Sequence, residues 1–368
     1  MSIYATALTV QNYRSFAEYE LVLHPGITIL VGPNAAGKTN LVESLQLLTA
    51  GQSFRRPSPR DLVREGCEAG GIRLALAGEG RRLEMGCDFA QGRRSFLRNG
   101  KKTTSAGVRG VLPSVLFCPD HLDMVKRSAS VRRAALDDFG TQLNEQYARL
   151  VATYERIVEQ RNSLLKERPL DRALLAAWDE SLVASGASLM MHRMALLARV
   201  RSRFAEVYSA IAPHEAADVS YEASACPAAH APVPGDRDGI EAALRRSLVE
   251  LADDEVRRGM TLTGPHRDEL VFTIDGRPAR AFGSQGQQRS IVLAWKIAEV
   301  AVTRDILGRP PLLLLDDVMS ELDAARRSAV LEFIGDEIQT VITTTNLGYF
   351  EGNVLDRAKV VEIGAISR

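Results

Sequence analysis

The sequence has few cysteines, no long apolar run and no net charge, and each absence excludes a class of protein. Its 368 residues contain four cysteines, Cys67, Cys87, Cys118 and Cys226, and no C-x-x-C pair. This pattern excludes a zinc or disulfide framework and predicts buried, reduced thiols. No segment reaches about 18 consecutive apolar residues, and the N-terminus lacks the features of a signal peptide. We therefore expect a cytoplasmic protein without a membrane partner.

Charge is balanced overall but unevenly distributed. The net charge of zero argues against a protein that coats nucleic acid through bulk charge. Residues 1–133, however, hold 19 Lys and Arg against 11 Asp and Glu, and the remainder reverses this excess. Solvated loops would explain it, and a surface for a phosphate backbone is the alternative. Most of the excess lies in three clusters: Arg55, Arg56, Arg60 and Arg64; Arg93, Arg94, Arg98, Lys101 and Lys102; and Lys126, Arg127, Arg132 and Arg133.

A phosphate-binding loop follows an apolar run that predicts a buried strand over residues 27–31. The next eight residues, GPNAAGKT, match G-x-x-x-x-G-K-[ST] and precede a segment with helical spacing. The two glycines allow the backbone to wrap around phosphate oxygens, the lysine faces the β- and γ-phosphates, and the threonine can ligate Mg²⁺. The pattern predicts that ATP and Mg²⁺ bind at Gly32, Pro33, Asn34, Ala35, Ala36, Gly37, Lys38 and Thr39.

A second half-site lies far downstream, in the segment PLLLLDDVMSELD. Its four leucines predict another buried strand, and Asp316 and Asp317 stand at the carboxyl end, where open α/β sheets place their ligands. We expect Asp316 to hold Mg²⁺ and Asp317 to orient or deprotonate the attacking water, with Lys38 as the third catalytic group. A helix cap is the alternative explanation of two adjacent carboxylates.

Between the half-sites, the polar stretch GSQGQQRS precedes an apolar helix predicted over residues 291–306. Ser284, Gly286 and Gln287 match the core of the signature motif of ABC-type ATPases. In that family the motif closes on the γ-phosphate that a partner subunit holds. A hydroxyl and glycine N–H groups at a helix start can form such an anion site, although the stretch could also be a simple polar helix cap.

The roughly 270 residues between the half-sites imply an insertion. Short strands with a strong hairpin turn at Asn99-Gly100 come first. Two helical stretches of about 40 residues then meet near residue 169 and predict an antiparallel hairpin of at most about 60 Å. A loop over residues 226–236 and a helix over 238–258 follow. We expect an N-terminal head part at 1–125, a helical arm at 126–260 and a C-terminal head part at 261–368, with no chemistry for His192 or His230.

With these motifs assembled, the chain resembles the RecF family of bacterial recombination mediators, whose ATPase head is related to chromosome-maintenance proteins. The resemblance spans nearly the whole chain and is carried by NYRSF, GPNAAGKTNLVE, LTGPHRDEL, GSQGQQRS and LLLLDDVMSELD. It implies an α/β fold: an ABC-type ATPase head split by an inserted α-helical arm, a short antiparallel coiled coil.

The resemblance also implies a function. The chain would bind DNA as an ATP-induced homodimer, without sequence specificity, at single strands, duplexes or their junctions. It would act with other mediator proteins in recombinase loading and the SOS response. Arg14 would approach the nucleotide phosphates, and a network of His266, Arg267 and Asp268 would brace the signature region unless these residues only form a turn. The DNA contacts are expected at Arg55, Arg56, Arg60, Lys126 and Arg127.

Two departures from the ABC pattern indicate slow hydrolysis that acts as a timer. No clear glutamine follows the strand ending at Phe117, and Thr343, Thr344 and Thr345 stand where transporter ATPases carry a switch histidine. The alternatives are an ABC transporter ATPase subunit, disfavoured by the inserted arm, and a monomeric phosphate-loop kinase or ATPase. Neither accounts for the signature stretch as well.

Overall fold

The computed structural model describes residues 3–78, 80–226, 233–335 and 337–364 and divides into two compact units. Unit 1 comprises Met1–Leu122 and Trp295–Arg368, and unit 2 comprises Asp123–Ala294. The second boundary therefore lies at Ala294 and not near residue 260. The reason is that a strand over Glu269–Ile274 pairs along its length with one over Ala217–Glu222, which keeps residues 261–294 in unit 2.

Unit 1 contains a five-stranded parallel sheet that carries both predicted half-sites. The strands at Ile27–Val31 and Leu312–Asp316 occupy the predicted positions and are almost entirely buried, as expected for near-continuous apolar runs. The order is β14-β3-β13-β12-β8. The strands are β3 (Ile27–Val31), β8 (Ser114–Phe117), β12 (Leu312–Asp316), β13 (Thr340–Thr344) and β14 (Ala358–Glu362).

A six-stranded antiparallel sheet completes unit 1, in the order β2-β1-β4-β5-β6-β7. Asn99 and Gly100 both have positive φ, 50° and 73°, and form the predicted hairpin turn. The two sheets share one hydrophobic core, to which Leu8, Leu45 and Leu314 contribute. The strands are β1 (Tyr4–Tyr13), β2 (Phe16–Val22), β4 (Ala69–Gly78), β5 (Arg81–Ala90), β6 (Arg93–Arg98) and β7 (Lys101–Thr103).

The helices of unit 1 are mostly short. The longest that lies wholly within the unit, α1, begins directly after the phosphate loop and packs against β8, β12 and β13. These helices are α1 (Lys38–Ala50), α2 (Ser105–Val108), α3 (Pro119–Leu122), α10 (Ala324–Ile334) and α11 (Gly352–Arg357), with 3₁₀ turns at Pro59–Leu62 and Leu347–Tyr349.

Unit 2 is built on an antiparallel helical hairpin, but its first arm is not the single predicted helix. Asn144, with φ −145°, separates two helices because its side chain accepts the backbone N–H groups of Gln146 and Tyr147 and caps the second. Tyr147 packs against His192, and Arg161 bonds to Asp179, so the two helices of the hairpin run in opposite directions. The helices are α4 (Ala129–Leu143), α5 (Glu145–Leu164), α6 (Arg172–Ile211) and α7 (Arg237–Arg258).

The remainder of unit 2 is a small antiparallel sheet that leads into the longest apolar helix of the C-terminal part. Its strands are β9 (Ala217–Glu222), β10 (Glu269–Ile274) and β11 (Arg277–Pro278), and its helices are α8 (Ala279–Phe282) and α9 (Gln285–Leu307). The last of these begins six residues before the predicted start and continues into unit 1. His230 and most of the predicted loop over residues 226–236 lie outside the described residues.

Two predictions about buried and apolar segments need qualification. Cys87 and Cys118 are buried free thiols, but Cys67 and Cys226 are also free and only partly buried. Among the described helices, α6 alone is long and apolar enough to cross a membrane by length and composition, and half of that window is buried inside the protein. Core helices of soluble proteins meet the same test.

Candidate functional site

The phosphate loop connects β3 to α1, and its residue types follow from its tight geometry. Gly37 has φ 93°, and a Cβ there would lie 2.6 Å from the Phe16 ring. A Cβ on Gly32 would lie 2.3 Å from the carbonyl oxygen of Ile363. The first N–H groups of α1 have no acceptor earlier in the helix, so this end suits an anion. Pro33, Asn34 and Ala35 are exposed and Ala36 is buried.

Lys38 lies under this loop. Its Nζ donates to the carbonyl oxygens of Gly32 and Pro33 at 2.8 and 2.9 Å. Burial lowers the pKa of Lys38, and the nearby Asp317 and Asp316 carboxylates act in the opposite direction. The lysine therefore sits between the loop and the two acidic residues from the second half-site.

Asp316 joins three elements at the carboxyl end of the parallel sheet. Its Oδ1 accepts bonds from the Thr39 hydroxyl at 3.0 Å and the Thr343 hydroxyl at 2.8 Å. Burial raises the pKa of Asp316, while the bonds from Thr343 and Thr39 lower it. Thr343 is the cross-strand partner of Asp316, so the register of β12 and β13 brings the hydroxyl to the carboxylate.

Asp317 has an unusual environment. Its φ is 53°, its N–H donates to Thr343 Oγ1 at 2.9 Å, and its Oδ1 is buried with no hydrogen-bond partner among the described residues. Burial raises the pKa of Asp317, and Lys38 counteracts this. A buried acceptor without a donor suits a group that receives a proton or bonds to water.

The oxygen ligands present fit Mg²⁺. Thr39 and Asp316 supply a hydroxyl and a carboxylate 3.0 Å apart, the ligand types that this ion takes from protein while nucleotide phosphates and water complete its octahedron. Among the described residues no group of three or more His, Cys, Asp or Glu could hold a metal.

Arg14 is held against α1. Its guanidinium donates to both carboxylate oxygens of Glu43, at 3.0 and 2.8 Å, and to the carbonyl oxygen of Asp61 at 2.9 Å. Glu43 is fully buried and also accepts from Ser53 and Tyr13. The expected approach of Arg14 to nucleotide phosphates stays a prediction.

In unit 2, the signature stretch forms a reciprocal capping box. The Ser284 N–H donates to Gln287 Oε1 at 2.8 Å, and Ser284 Oγ accepts the Gln287 N–H at 3.2 Å. Gln287 Nε2 also donates to Glu215 Oε1 at 2.9 Å, and Gln288 Nε2 donates to the carbonyl oxygens of Ala279 and Gly283. The cap interpretation is thus geometrically correct. The capping hydrogen bonds do not exclude an anion site, because Ser284 remains exposed at the start of α9.

His266, Arg267 and Asp268 brace a different region from the one expected. His266 bonds through Nδ1 to the Tyr154 hydroxyl at 2.8 Å, and Arg267 donates to the Thr261 carbonyl oxygen. Buried Asp268 accepts from the Tyr221 hydroxyl and from the N–H and hydroxyl of Ser224. These bonds connect β9 and α5 to the segment before β10. The sequence placed Thr343 beside Thr344 and Thr345 without deciding among them, and it gave no motif for Glu43 or Glu215, which sequence reasoning missed.

The fold and the paired half-sites define an ABC-type ATPase head split by an inserted helical arm. Comparison with known proteins gives the family. The family model for the RecF/RecN/SMC N-terminal domain matches residues 4–362, and the chain belongs to this family and, within it, to the RecF proteins. The resemblance read from the motifs is confirmed.

Two relatives illustrate the match. The DNA replication and repair protein RecF of Cyanothece sp. is 37% identical, over 98% of this chain and 96% of its own length. That of Symbiobacterium thermophilum is 38% identical, over 94% and 92%.

Solved structures of RecF proteins also resemble this chain. A structure described as the recombination mediator protein RecF-ATPrS in the RecFOR pathway has a TM-score of 0.88 and 28% identity and covers 95% of both chains. Its RecF-ATP counterpart has a TM-score of 0.87. An Smc head bound to the C-winged helix domain of ScpA, at 15% identity and a TM-score of 0.57, shares the fold alone.

Proposed function

We propose that this chain is a cytoplasmic, ATP-dependent DNA-binding protein of recombinational repair and replication that dimerises around ATP and hydrolyses it slowly. The convergence of Thr39, Thr343 and Asp316 beside Lys38 and the unpartnered Asp317 oxygen carries the proposal, because these groups suit Mg²⁺ and the terminal phosphate. The RecF structures described with ATP and with ATPrS support the choice of nucleotide.

Each residue has a defined task. Lys38 neutralises developing charge on the β- and γ-phosphates, and the N–H groups at the start of α1 bind phosphate oxygens. Thr39 and Asp316 would hold a magnesium ion, which would supply positive charge to neutralise the phosphates. Asp317 orients or deprotonates the water. The threonine at residue 343 holds both aspartates but, unlike a histidine, cannot serve as a base near neutral pH, which supports slow hydrolysis.

The second half of each ATP site would come from the signature stretch of a partner copy. The Ser284 hydroxyl is exposed at the start of the 23-residue α9, and its O–H can donate to a phosphate oxygen while its Oγ accepts the Gln287 N–H. The ATP dimer would then bind single-stranded, double-stranded or junction DNA and act with other mediator proteins in recombinase loading and the SOS response.

The five residues proposed from the sequence as DNA contacts are divided between the two units, and some of them have acidic neighbours. Arg55 donates to Asn40 and lies 3.7 Å from Glu43, which leaves it partly engaged. Lys126 and Arg127 belong to unit 2, where Arg127 lies 3.8 Å from Asp123, whereas Arg55, Arg56 and Arg60 belong to unit 1. We retain all five as proposed contacts with backbone phosphates.

Sedimentation with and without Mg-ATP and a partly duplex DNA tests the proposal. The wild type should be monomeric without nucleotide, dimeric with ATP and bound to DNA mainly as the dimer. Ser284→Arg should bind ATP but remain monomeric. Ser284→Thr is the matched control, because it retains the capping hydroxyl and should still dimerise. If the wild type stays monomeric with ATP bound and ignores DNA, the monomeric ATPase alternative takes its place.

A further inference from the structure

A basic cavity in unit 1 lies apart from the ATP site. It has a volume of about 430 Å³ and opens between the β6–β7 hairpin and the residues that follow α1. Three cationic side chains line it, Arg94, Lys102 and Arg109, and its lining contains no carboxylate. Hydroxyl groups of Ser95, Thr103 and Thr104 surround them. This set of donors suits an oxyanion.

The cations of the cavity differ in how they are held. Arg109 is anchored, since its Nε donates to the carbonyl oxygen of Ala50 at 3.1 Å. Arg94 and Lys102 are exposed, and within the described parts of the chain neither side chain has a hydrogen bond or an ion pair. On β5, Asp88 is the strand partner of Ser95, and its carboxylate is already paired with Arg73 at 2.6 Å. The positive charge of the cavity is therefore not neutralised by its own sheet.

More positive charge continues along the same hairpin. Arg93, Arg98 and Lys101 are exposed, and their side chains likewise have no hydrogen bond or ion pair in the described chain. Arg60 lies beside the β5–β6 turn, with its Nε 3.3 Å from where a Cβ on Gly92 would stand. The cluster thus concentrates basic side chains on both faces of one hairpin, with Arg94, Arg98 and Lys101 on one face and Arg93 and Lys102 on the other.

Protection of a sheet edge explains only part of this basic cluster. The hairpin's second strand, β7, is the edge of the six-stranded sheet, and lysines on edge strands prevent pairing with other chains. That role accounts for Lys101 and Lys102. It does not account for Arg94, which lies on the interior strand β6, or for a cavity lined by hydroxyl groups.

We infer that this cavity binds a backbone phosphate of nucleic acid and forms part of the DNA-binding surface, an inference that rests on the proposed function. A phosphodiester would accept from the Arg94 fork, the Lys102 ammonium and the surrounding hydroxyls. The one aromatic residue in the lining, Phe96, is only 6% exposed, so the cavity offers no stacking platform for a base. Such a contact positions the DNA without reading its sequence.

The test measures DNA affinity in Mg-ATP as a function of salt for Arg94→Gln/Lys102→Gln. Loss of one phosphate contact should lower the slope of log affinity against log salt by about one unit and weaken binding about tenfold at low salt. Arg81→Gln/Arg82→Gln is the matched control. These arginines are also exposed and unpaired within the described chain, and Arg81 lies eight residues along β5 from Phe89, the partner of Arg94, or roughly 27 Å.

Amine labelling distinguishes a nucleic-acid phosphate from a free anion. In the wild type with Mg-ATP, the DNA should protect Lys102 from acylation more than the neighbouring Lys101, and inorganic phosphate at equal phosphate concentration should protect neither. An unchanged salt slope in the double variant, or equal protection of Lys102 by inorganic phosphate, overturns the inference. A wild type that binds no DNA with ATP would instead overturn the proposed function.

Discussion

The Thr343 hydroxyl donates to Asp316 Oδ1 at 2.8 Å and accepts the Asp317 N–H at 2.9 Å. One fully buried side chain therefore holds both acidic residues of the second half-site. Loss of the hydroxyl would leave Asp316 with Thr39 as its remaining side-chain donor. The Asp317 N–H would lose its acceptor.

We expect Thr343→Val to lower the free energy of unfolding by about 1–3 kcal/mol, because buried polar partners are left unsatisfied. ATP hydrolysis should slow about tenfold as Asp316 and Asp317 lose their alignment. Urea unfolding and single-turnover hydrolysis measure the two effects. Thr343→Ser keeps the hydroxyl and should retain the wild-type rate, and a slow serine variant would show that the methyl group matters instead.

Asp317 gives a second prediction, since its buried Oδ1 has no partner in the described chain. Asp317→Asn removes the charge but keeps a residue that tolerates the positive φ of 53°. ATP affinity and thermal stability should change little, while hydrolysis should fall at least about 100-fold with the loss of a general base. Lys38→Ala, by contrast, should lose ATP binding itself. Retained hydrolysis in the asparagine variant would assign the water to another group.

Glu215 supports the third prediction, because it lies between the signature stretch and the helical hairpin. It accepts from Gln287 Nε2 at 2.9 Å and from the Tyr208 hydroxyl at 2.7 Å. Glu215→Ala should free the Gln287 amide and weaken ATP-induced dimerisation about threefold to tenfold, with the ATP affinity of the monomer unchanged. Sedimentation equilibrium measures the dimer constant. Tyr208→Phe removes only the second bond and should dimerise normally, and equal constants for all three proteins would exclude a positioning role.

Local patterns were sufficient to predict the elements that carry the ATP site. The strand over residues 27–31, the glycine loop and α1 are contiguous, and the apolar run before Asp316 has the short length typical of a buried strand. Their chemistry follows from residue types and spacing, so sequence reasoning placed them without tertiary information.

Other features of the fold and site depend on tertiary contacts or local side-chain bonds and could not be predicted from sequence patterns. The choice of Thr343 over Thr344 and Thr345 depends on the β12–β13 register, and the boundary at Ala294 depends on β9 pairing with β10. The apolar spacing continues through Asn144, so only its side-chain cap reveals that the first arm is two helices. Each of these features requires contacts between residues distant in sequence or a local competition that periodicity does not register.

We expect His266 to make the stability of unit 2 sensitive to pH. Its ring bonds to the Tyr154 hydroxyl and the Thr261 carbonyl oxygen, and it faces three cations, Arg267, Arg133 and Arg193. Burial, together with these cations, lowers the pKa of His266 from 6.5 to about 4, although the bond to Thr261 acts in the opposite direction. The unfolded chain therefore takes up this proton first on acidification.

The folded state should consequently lose stability as pH falls from about 6.5 towards about 4, by at most about 3 kcal/mol. His266→Gln can keep both hydrogen bonds without titrating. Its stability should therefore match that of the wild type near pH 7.5 and exceed that of the wild type at pH 4.5. Hydrogen exchange of α5 and β9 peptides, compared between the two proteins at each pH, measures the difference. Because Asp268 and the arginines are common to both, their contributions cancel to first order. Parallel pH dependence in the two proteins would mean that another group dominates the acid response of unit 2.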